Sequence, residues 1–420
     1  MARRHLLATS VSALALLALI AGERAQAQEL IIESWRNDDL VIWQDKIIPA
    51  FNAQHPDIDV TFQPTAPAEY NAALNAKLQG GTAGDLITCR PFDGALSLFQ
   101  QGHLASLTGM EGLGNFPDFA LAAWSTDDGS ETFCVPMAAE IHGFMYNKDA
   151  FAELGLEVPA TEDQFFALLD QIKEDGAYVP LAMGTQNQWE AATMGYTNIG
   201  VNYWDGEEGR QALIEGEAKF TDDQFVQPFA TIARWADYMP DGFEAQTYPD
   251  SQNLFTLSRA AIYPTGSWEI AGFSQDADFE MGAFKPPVQN EGDACFISDH
   301  VDIALGINPA SDNQEAAKIF LEWVASAEFA EIYSNELPGF FSLSNHKIDL
   351  TNELAREFLG WREECGSTIR VAHQILSRGT PNTWNEMWVI SANVINGTQS
   401  PEEAGAKLQE GLASWYEPQQ

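Results

Sequence analysis

The apolar positions change period along the chain, and the changes mark its elements. Leu30, Ile31 and Ile32 form a short continuous apolar run, the pattern of a buried strand. Leu40, Trp43, Ile47, Ile48 and Phe51 then recur at helical spacing, with Asn37 or Asp38 placed to cap the helix. Ile58, Val60 and Phe62 alternate with polar residues as a second strand. Leu74 and Leu78 share a helix face that Gly80-Gly81 closes. Asp85-Leu86-Ile87-Thr88 reads as a third strand, and a helix is expected over 92–101. Strand and helix in alternation predict an α/β lobe on a largely parallel sheet.

Further along, three capping boxes announce helices: Thr161 with Gln164, Ser311 with Gln314, and Ser400 with Glu403. Pro401 suits the first turn of the last of these. Trp323 and Trp415 fall within apolar helix stripes and are assigned to the core. Ile303, Ala304, Leu305 and Ile307 read as a buried strand. Single cores stop growing near roughly 250–300 residues, so a chain of 420 residues calls for two lobes. No repeat or low-complexity linker separates them, which predicts several chain crossings instead of one tether.

The first 27 residues follow a different logic. Arg3, Arg4 and His5 precede an apolar stretch from Leu6 to Ala21, and Ala25-Gln26-Ala27 supplies a small-x-small cleavage pattern. The apolar run falls short of the roughly 20 residues of a membrane span. A cleaved signal peptide over 1–27 is expected, releasing a soluble protein into the periplasm of a Gram-negative cell; a retained anchor is the alternative.

Charge narrows the partners. Sixty-one Asp+Glu against 21 Lys+Arg give a formal net charge of −40. Such a field repels phosphate backbones and anionic lipid, so no nucleic acid and no membrane surface is expected as partner. Solubility or a saline habitat accounts for the excess equally well. The four cysteines allow three pairings. Cys89–Cys134 with Cys295–Cys365 is the expected set, with four buried free thiols as the alternative. No CxxC or His-rich cluster points to a metal, and no cofactor is implied.

Catalytic signatures are missing: there is no Gly-x-Ser-x-Gly elbow, no phosphate loop and no His-Glu-x-x-His. A pair of glycosidase carboxylates needs no motif, and with this many acids counting decides nothing. The aromatics are more telling. Trp189, Trp268 and Trp384 sit among polar or turn residues, in Asn187-Gln188-Trp189-Glu190, Gly266-Ser267-Trp268-Glu269 and Pro381-Asn382-Thr383-Trp384-Asn385. An amphipathic indole suits a sugar, which has an apolar C–H face and a polar rim; core packing is the competing role for each.

Six stretches in order complete a pattern. They are Glu33-Ser34-Trp35-Arg36-Asn37-Asp38, Gly84-Asp85-Leu86-Ile87-Thr88, Pro136-Met137-Ala138-Ala139-Glu140, Tyr146-Asn147-Lys148-Asp149, the run from Ala260 to Trp268, and Gly306-Ile307-Asn308-Pro309-Ala310-Ser311. Over nearly the whole chain after residue 27, this set resembles the extracellular solute-binding proteins of family 1, the group that includes maltose-binding proteins. The resemblance implies a type II periplasmic binding fold: α/β, two lobes, with a ligand cleft between them and a multi-crossing hinge. Crossings are then expected near 138–143, 297–301 and 343–349. One lobe would comprise 28–139 and 300–345, the other 140–299 and 346–420. The chain would act without catalysis, as a monomer without cofactor. It would bind a mono-, di- or short oligosaccharide and deliver it to ABC permease subunits driven by a cytoplasmic ATPase.

Carried over position by position, the resemblance implies a ligand set. Arg36, Asn37 and Asp38 follow the first strand, and Arg90 and Asp93 follow the third. Glu140 matches a hinge-side carboxylate. Trp189, Trp268 and Trp384 match aromatic positions, and Arg378 precedes the last of them. Asp299 and His300 depart from a maltose-type site; they either add ligand contacts or bond within the hinge. Arg36, Arg90 and Arg378 either brace acidic neighbours or recognise an acidic or sulfonated sugar, since Arg grips such anions bidentately. A polyol or glycosyl-glycerol ligand is a further alternative, and a secreted glycosidase a distant one.

Overall fold

The computed structural model describes residues 28–420; the expected signal peptide lies outside them. The opening strand, β1 (Gln28–Ser34), runs parallel to β2 (Ile58–Pro64), with Leu30 opposite Val60 and Ile32 opposite Phe62. On its other side β1 pairs in parallel with β3 (Leu86–Cys89). The helix Tyr70–Gly80 packs Tyr70, Leu74 and Leu78 inward and ends at Gly81, whose φ of 65° favours a residue without Cβ. This portion has the expected parallel βαβαβ order.

Beyond it the sheet turns antiparallel. Two long strands, β4 (Val135–Asn147) and β8 (Phe296–Ile307), run through the middle of the molecule, paired from Val135↔Leu305 to Ile141↔Asp299. The end of β8 also pairs with β3, joining it to the first lobe. The second half of β4 pairs with β6 (Ala260–Gly266) and β7 (Met281–Phe284), and β6 carries the parallel β5 (Val179–Leu181). The short β9 (Phe341–Ser342) and β10 (Gly366–Thr368) pair with β4 at Ala138–Ala139 and with the start of β8. The strand order is β2-β1-β3-β8-β4-β6-β5. Two lobes thus share two continuous strands, and β4 breaks register between Pro136 and Ala139. Such a bulge bends and twists a strand locally.

The capping boxes at Thr161 and Ser400 form as expected. The one at Ser311 does not: its helix begins three residues later, at Gln314. Ser311 instead donates to Asp85 Oδ1 and accepts from the Asn313 amide, tying the exit of β8 to the start of β3. Disulfides join Cys89 to Cys134 and Cys295 to Cys365, leaving no free thiol. No helix among the described residues is long and apolar enough to cross a membrane.

Candidate functional site

Strand alternation assembles the floor of a cleft between the lobes. Glu140 and His142 share one face of β4, and His300 and Asp302 share one face of β8, because residues two apart point the same way. Glu140 stands directly opposite His300. The intervening Ile141 and Val301 are buried on the other face. All four polar residues are at most 3% exposed.

Residues from both lobes close over this floor. Trp35, Arg36, Pro67 and Arg90 come from one side. Trp189, Thr193, Tyr248, Trp268, Arg370, Trp384 and Trp388 come from the other, and Glu140 and Asp302 lie beneath. They enclose a chamber of about 60 Å³. Arg90, Asp302, Arg370 and Trp384 also line an outer groove of about 580 Å³, so the chamber opens into it.

Each aromatic has an identifiable support. Trp268 sits on the turn after β6, and its Nε1 donates to the Tyr248 hydroxyl at 3.1 Å. Tyr248 donates to the Glu269 carboxylate, which Gln252 also bonds. Trp189 packs edge-on against Tyr248 at 4.8 Å. Trp384 and Trp388 lie one turn apart on the helix Thr383–Ile395. A chain of rings runs beneath the site: Trp268 to His142 at 5.3 Å, His142 to His300 at 5.0 Å, His300 to His373 at 6.2 Å, and His373 to Trp384 at 5.2 Å. Phe92, Gln188 and Gln374 have φ of 55°, 62° and 61° and adjoin Asp93, Trp189 and His373. Non-glycine residues seldom adopt that conformation, and such strain gathers at functional sites.

Burial sets the electrostatics of the floor. It holds His142, His300 and His373 below the usual histidine range, His300 at about 4, so all three are neutral near pH 7. Burial, reinforced by the charge of Asp302, pushes Glu140 well above the usual carboxylate range. Asp302 goes the other way: burial opposes its charge, but the bond from His300 and the charge of Arg370 outweigh that. Glu140, His300 and Asp302 bring donor atoms within 4.8 Å of one another, a spacing that could hold a metal. A guanidinium nitrogen of Arg370, 3.6 Å from Asp302, already supplies a positive charge there.

The sequence-derived positions separate into five groups. Arg36, Arg90, Glu140, Trp189, Trp268 and Trp384 line the chamber. Arg36 is held by Asp39 through two contacts of 2.7 and 2.8 Å. Asp93 and Arg378 line the outer groove but are bound to each other at 2.6 Å, and Arg378 also grips Asp127. Burial pushes Asp93 up to about 6 despite that ion pair. His300 lies beneath the chamber. Asn37 and Asp38 are exposed and bonded to each other, outside the lining. Asp299 faces the opposite side of the hinge strands, clamped by Arg362 through two contacts of 2.7 Å. Trp35, Asp302, Arg370, Tyr248, Thr193, Pro67 and Trp388 join the lining without having been singled out as ligand positions. Asp302 was reachable from His300 by the two-residue period, and Trp388 from Trp384 by one helical turn. No local pattern marks Arg370.

A family model described as bacterial extracellular solute-binding protein matches residues 36–331. The chain is 24% identical over 297 residues to the multiple sugar-binding protein of Streptococcus mutans, covering 69% of each chain. It is 23% identical over 396 residues to the galactooligosaccharide-binding protein of Bacillus subtilis, covering 88% of each. A solved structure from work on xylan utilization by Caldanaerobius polysaccharolyticus superposes with a TM-score of 0.80 at 17% identity, over 91% of this chain and 99% of that one. These likenesses agree with the two-lobed architecture, and the chain belongs to the bacterial extracellular solute-binding proteins.

Proposed function

We propose that the protein is the periplasmic substrate-binding component of an ABC importer. It captures a mono-, di- or short oligosaccharide as the lobes close and presents the loaded form to permease subunits coupled to a cytoplasmic ATPase. The lobes comprise 28–139 with 300–345 and 140–299 with 346–420. One observation carries the reading: tryptophans and hydrogen-bonding side chains from both sides line one chamber that neither lobe completes alone. The sugar-binding names of the relatives point the same way.

The geometry suits a ring with an apolar face and a polar rim. Trp268 and Trp384 offer stacking surfaces, while Glu140, Asp302, Arg90 and Arg370 offer partners for hydroxyls. A water needs at least about 10–15 Å³ of such a cavity, so the chamber of about 60 Å³ holds at most about four to six waters, no more than the bulk of one sugar ring. Further rings would extend into the outer groove. Ligand atoms touched from both sides favour the closed state, and their differential affinity sets how far the equilibrium moves.

A thermal-shift screen of the chain from Gln28 onward against sugars and polyols tests the reading. A ligand that binds only the folded state raises the midpoint with the logarithm of its excess over Kd. A sugar-dependent rise with a change in tryptophan fluorescence is expected. No shift with any sugar or polyol would contradict the proposal, and sugar product accumulating with time would favour the glycosidase alternative.

A further inference from the structure

Cations are scarce in this chain and acids abundant, 21 Lys+Arg against 61 Asp+Glu. A guanidinium withdrawn from water has carboxylates within easy reach, and several take them in two-point contacts. Arg36 is held by Asp39, Arg210 by Glu207 at 2.9 and 2.7 Å, and Arg362 by Asp299. Arg378 has two aspartates.

Two arginines break this pattern, and both line the chamber and its outer groove. Arg90 lies 4.3 Å over the Trp35 ring and spends one donor on Asn71 Oδ1 at 3.1 Å. Among the described residues no carboxylate comes within ion-pair distance of it. Arg370 lies 5.5 Å over Trp384, and its guanidinium makes no hydrogen bond to a described residue. Its Nε is buried without a partner, and its ion-pair contact, Asp302 Oδ1 at 3.6 Å, already engages His300. Each guanidinium is thus braced by an indole while most of its donors stay unspent.

Arg370 is buried and Arg90 half-buried; withdrawing a cation even partly from water without a full counter-charge is costly, and a planar fork of donors matches a carboxylate or sulfonate better than it matches a hydroxyl. We propose that the ligand is a sugar bearing one anionic group, a uronic-acid carboxylate or a sulfonate, and that Arg90 and Arg370 grip that group while the ring stacks on Trp268 and Trp384. This rests on the sugar-binding reading and narrows it. Charge balance agrees. Arg36 and Asp39 cancel, and Asp302 offsets one of the two open arginines. Glu140, driven toward its neutral form by burial and by Asp302, leaves the other uncompensated.

The test is calorimetric titration of the chain from Gln28 onward at neutral pH and low salt. The ligands are D-glucuronate and D-galacturonate beside D-glucose and D-galactose, their short oligosaccharides, and 6-deoxy-6-sulfo-D-glucose. At least one acid binds tighter than its neutral twin by about tenfold or more, as two-point charge-assisted bonds predict; the uronate and sulfonate arms say which anion is preferred. Arg90→Gln and Arg370→Gln each bring acid and neutral twin to nearly equal affinity. Arg90→Lys, which keeps the charge and loses the fork, gives an intermediate preference and guards against misfolding of the neutral variants. A neutral sugar binding as tightly as its acid twin, or tighter, overturns the anion assignment and leaves sugar binding standing. Binding of no sugar in either series overturns both.

Discussion

Trp189, Trp268, Trp384 and Trp388 are held from behind by rings and hydroxyls, whereas Glu140, Asp302, Arg90 and Arg370 face one another. Trp268 rests on Tyr248, itself in the lining, which is backed by Glu269 and Gln252 outside the chamber, so the wall keeps its shape without a ligand. The charged groups have no comparable hydrogen-bonded backing, the two guanidinia resting mainly on indole rings. Asp302 serves both His300 and Arg370, Glu140 makes no side-chain hydrogen bond to a described residue, and two guanidinia keep unspent donors. The wall therefore contributes area and orientation. The floor contributes charge selectivity, and each of its members shifts the others.

Substitutions separate the two. The largest effect is expected on the floor: Asp302→Asn leaves Arg370 without an ion partner and lowers stability by about 3 kcal/mol or more, as breaking a buried pair does. Denaturant unfolding measures it, and a loss under about 1 kcal/mol would show that the floor is not coupled. On the wall, Trp268→Ala removes a stacking face and weakens sugar binding by roughly 2–3 kcal/mol, well over tenfold; the ring is buried, so the unfolding midpoint falls as well, by up to roughly 3 kcal/mol of stability. Unchanged affinity would take Trp268 out of the site.

Smaller effects probe the bracing. Tyr248→Phe removes the acceptor for Trp268 Nε1 and costs about 1 kcal/mol of affinity, roughly fivefold, in the same titration. Glu269 is raised by burial from the ordinary 4.5 to about 7. Its contribution to stability is therefore complete below pH 4.5 and is lost as pH rises through 7. Glu269→Gln should flatten the fall of the unfolding midpoint across that window by roughly 2–4 °C; an unchanged slope would mean that Glu269 does not titrate there. The smallest effect belongs to Arg378, whose ion pairs at the groove rim are a third exposed on the arginine side. Arg378→Ala changes affinity by less than about 1 kcal/mol, and raised salt mimics it.

Much of this was legible before any coordinates. The apolar run at Leu30, the alternation at Ile58 and the stripe at Leu74 each became the element they announced, because all three are set by local burial period. Mixed pairing was not legible: β3 meets β8 across more than two hundred residues, and no local pattern encodes that register. Ser311 showed a cap signature but is engaged by Asp85, a distant acid competing with its own helix. The three tryptophans flanked by polar residues, Trp189, Trp268 and Trp384, all fall on the chamber lining. Asp299 and His300 teach the opposite lesson: neighbours in one strand point to opposite faces, so a single floor takes only one of them, and Asp302 is its companion. Arg370 carried no signal, because an arginine's meaning depends on whether a carboxylate meets it in space.

The most direct test is a crystal structure of the protein with the tightest-binding sugar from the calorimetric series. The account predicts the ring inside the chamber, its apolar face against Trp268 or Trp384 and its polar atoms on Glu140, Asp302, Arg90 or Arg370, touched from both lobes. A sugar bound outside the hinge, or a chamber still holding only water with the sugar at saturation, would contradict it.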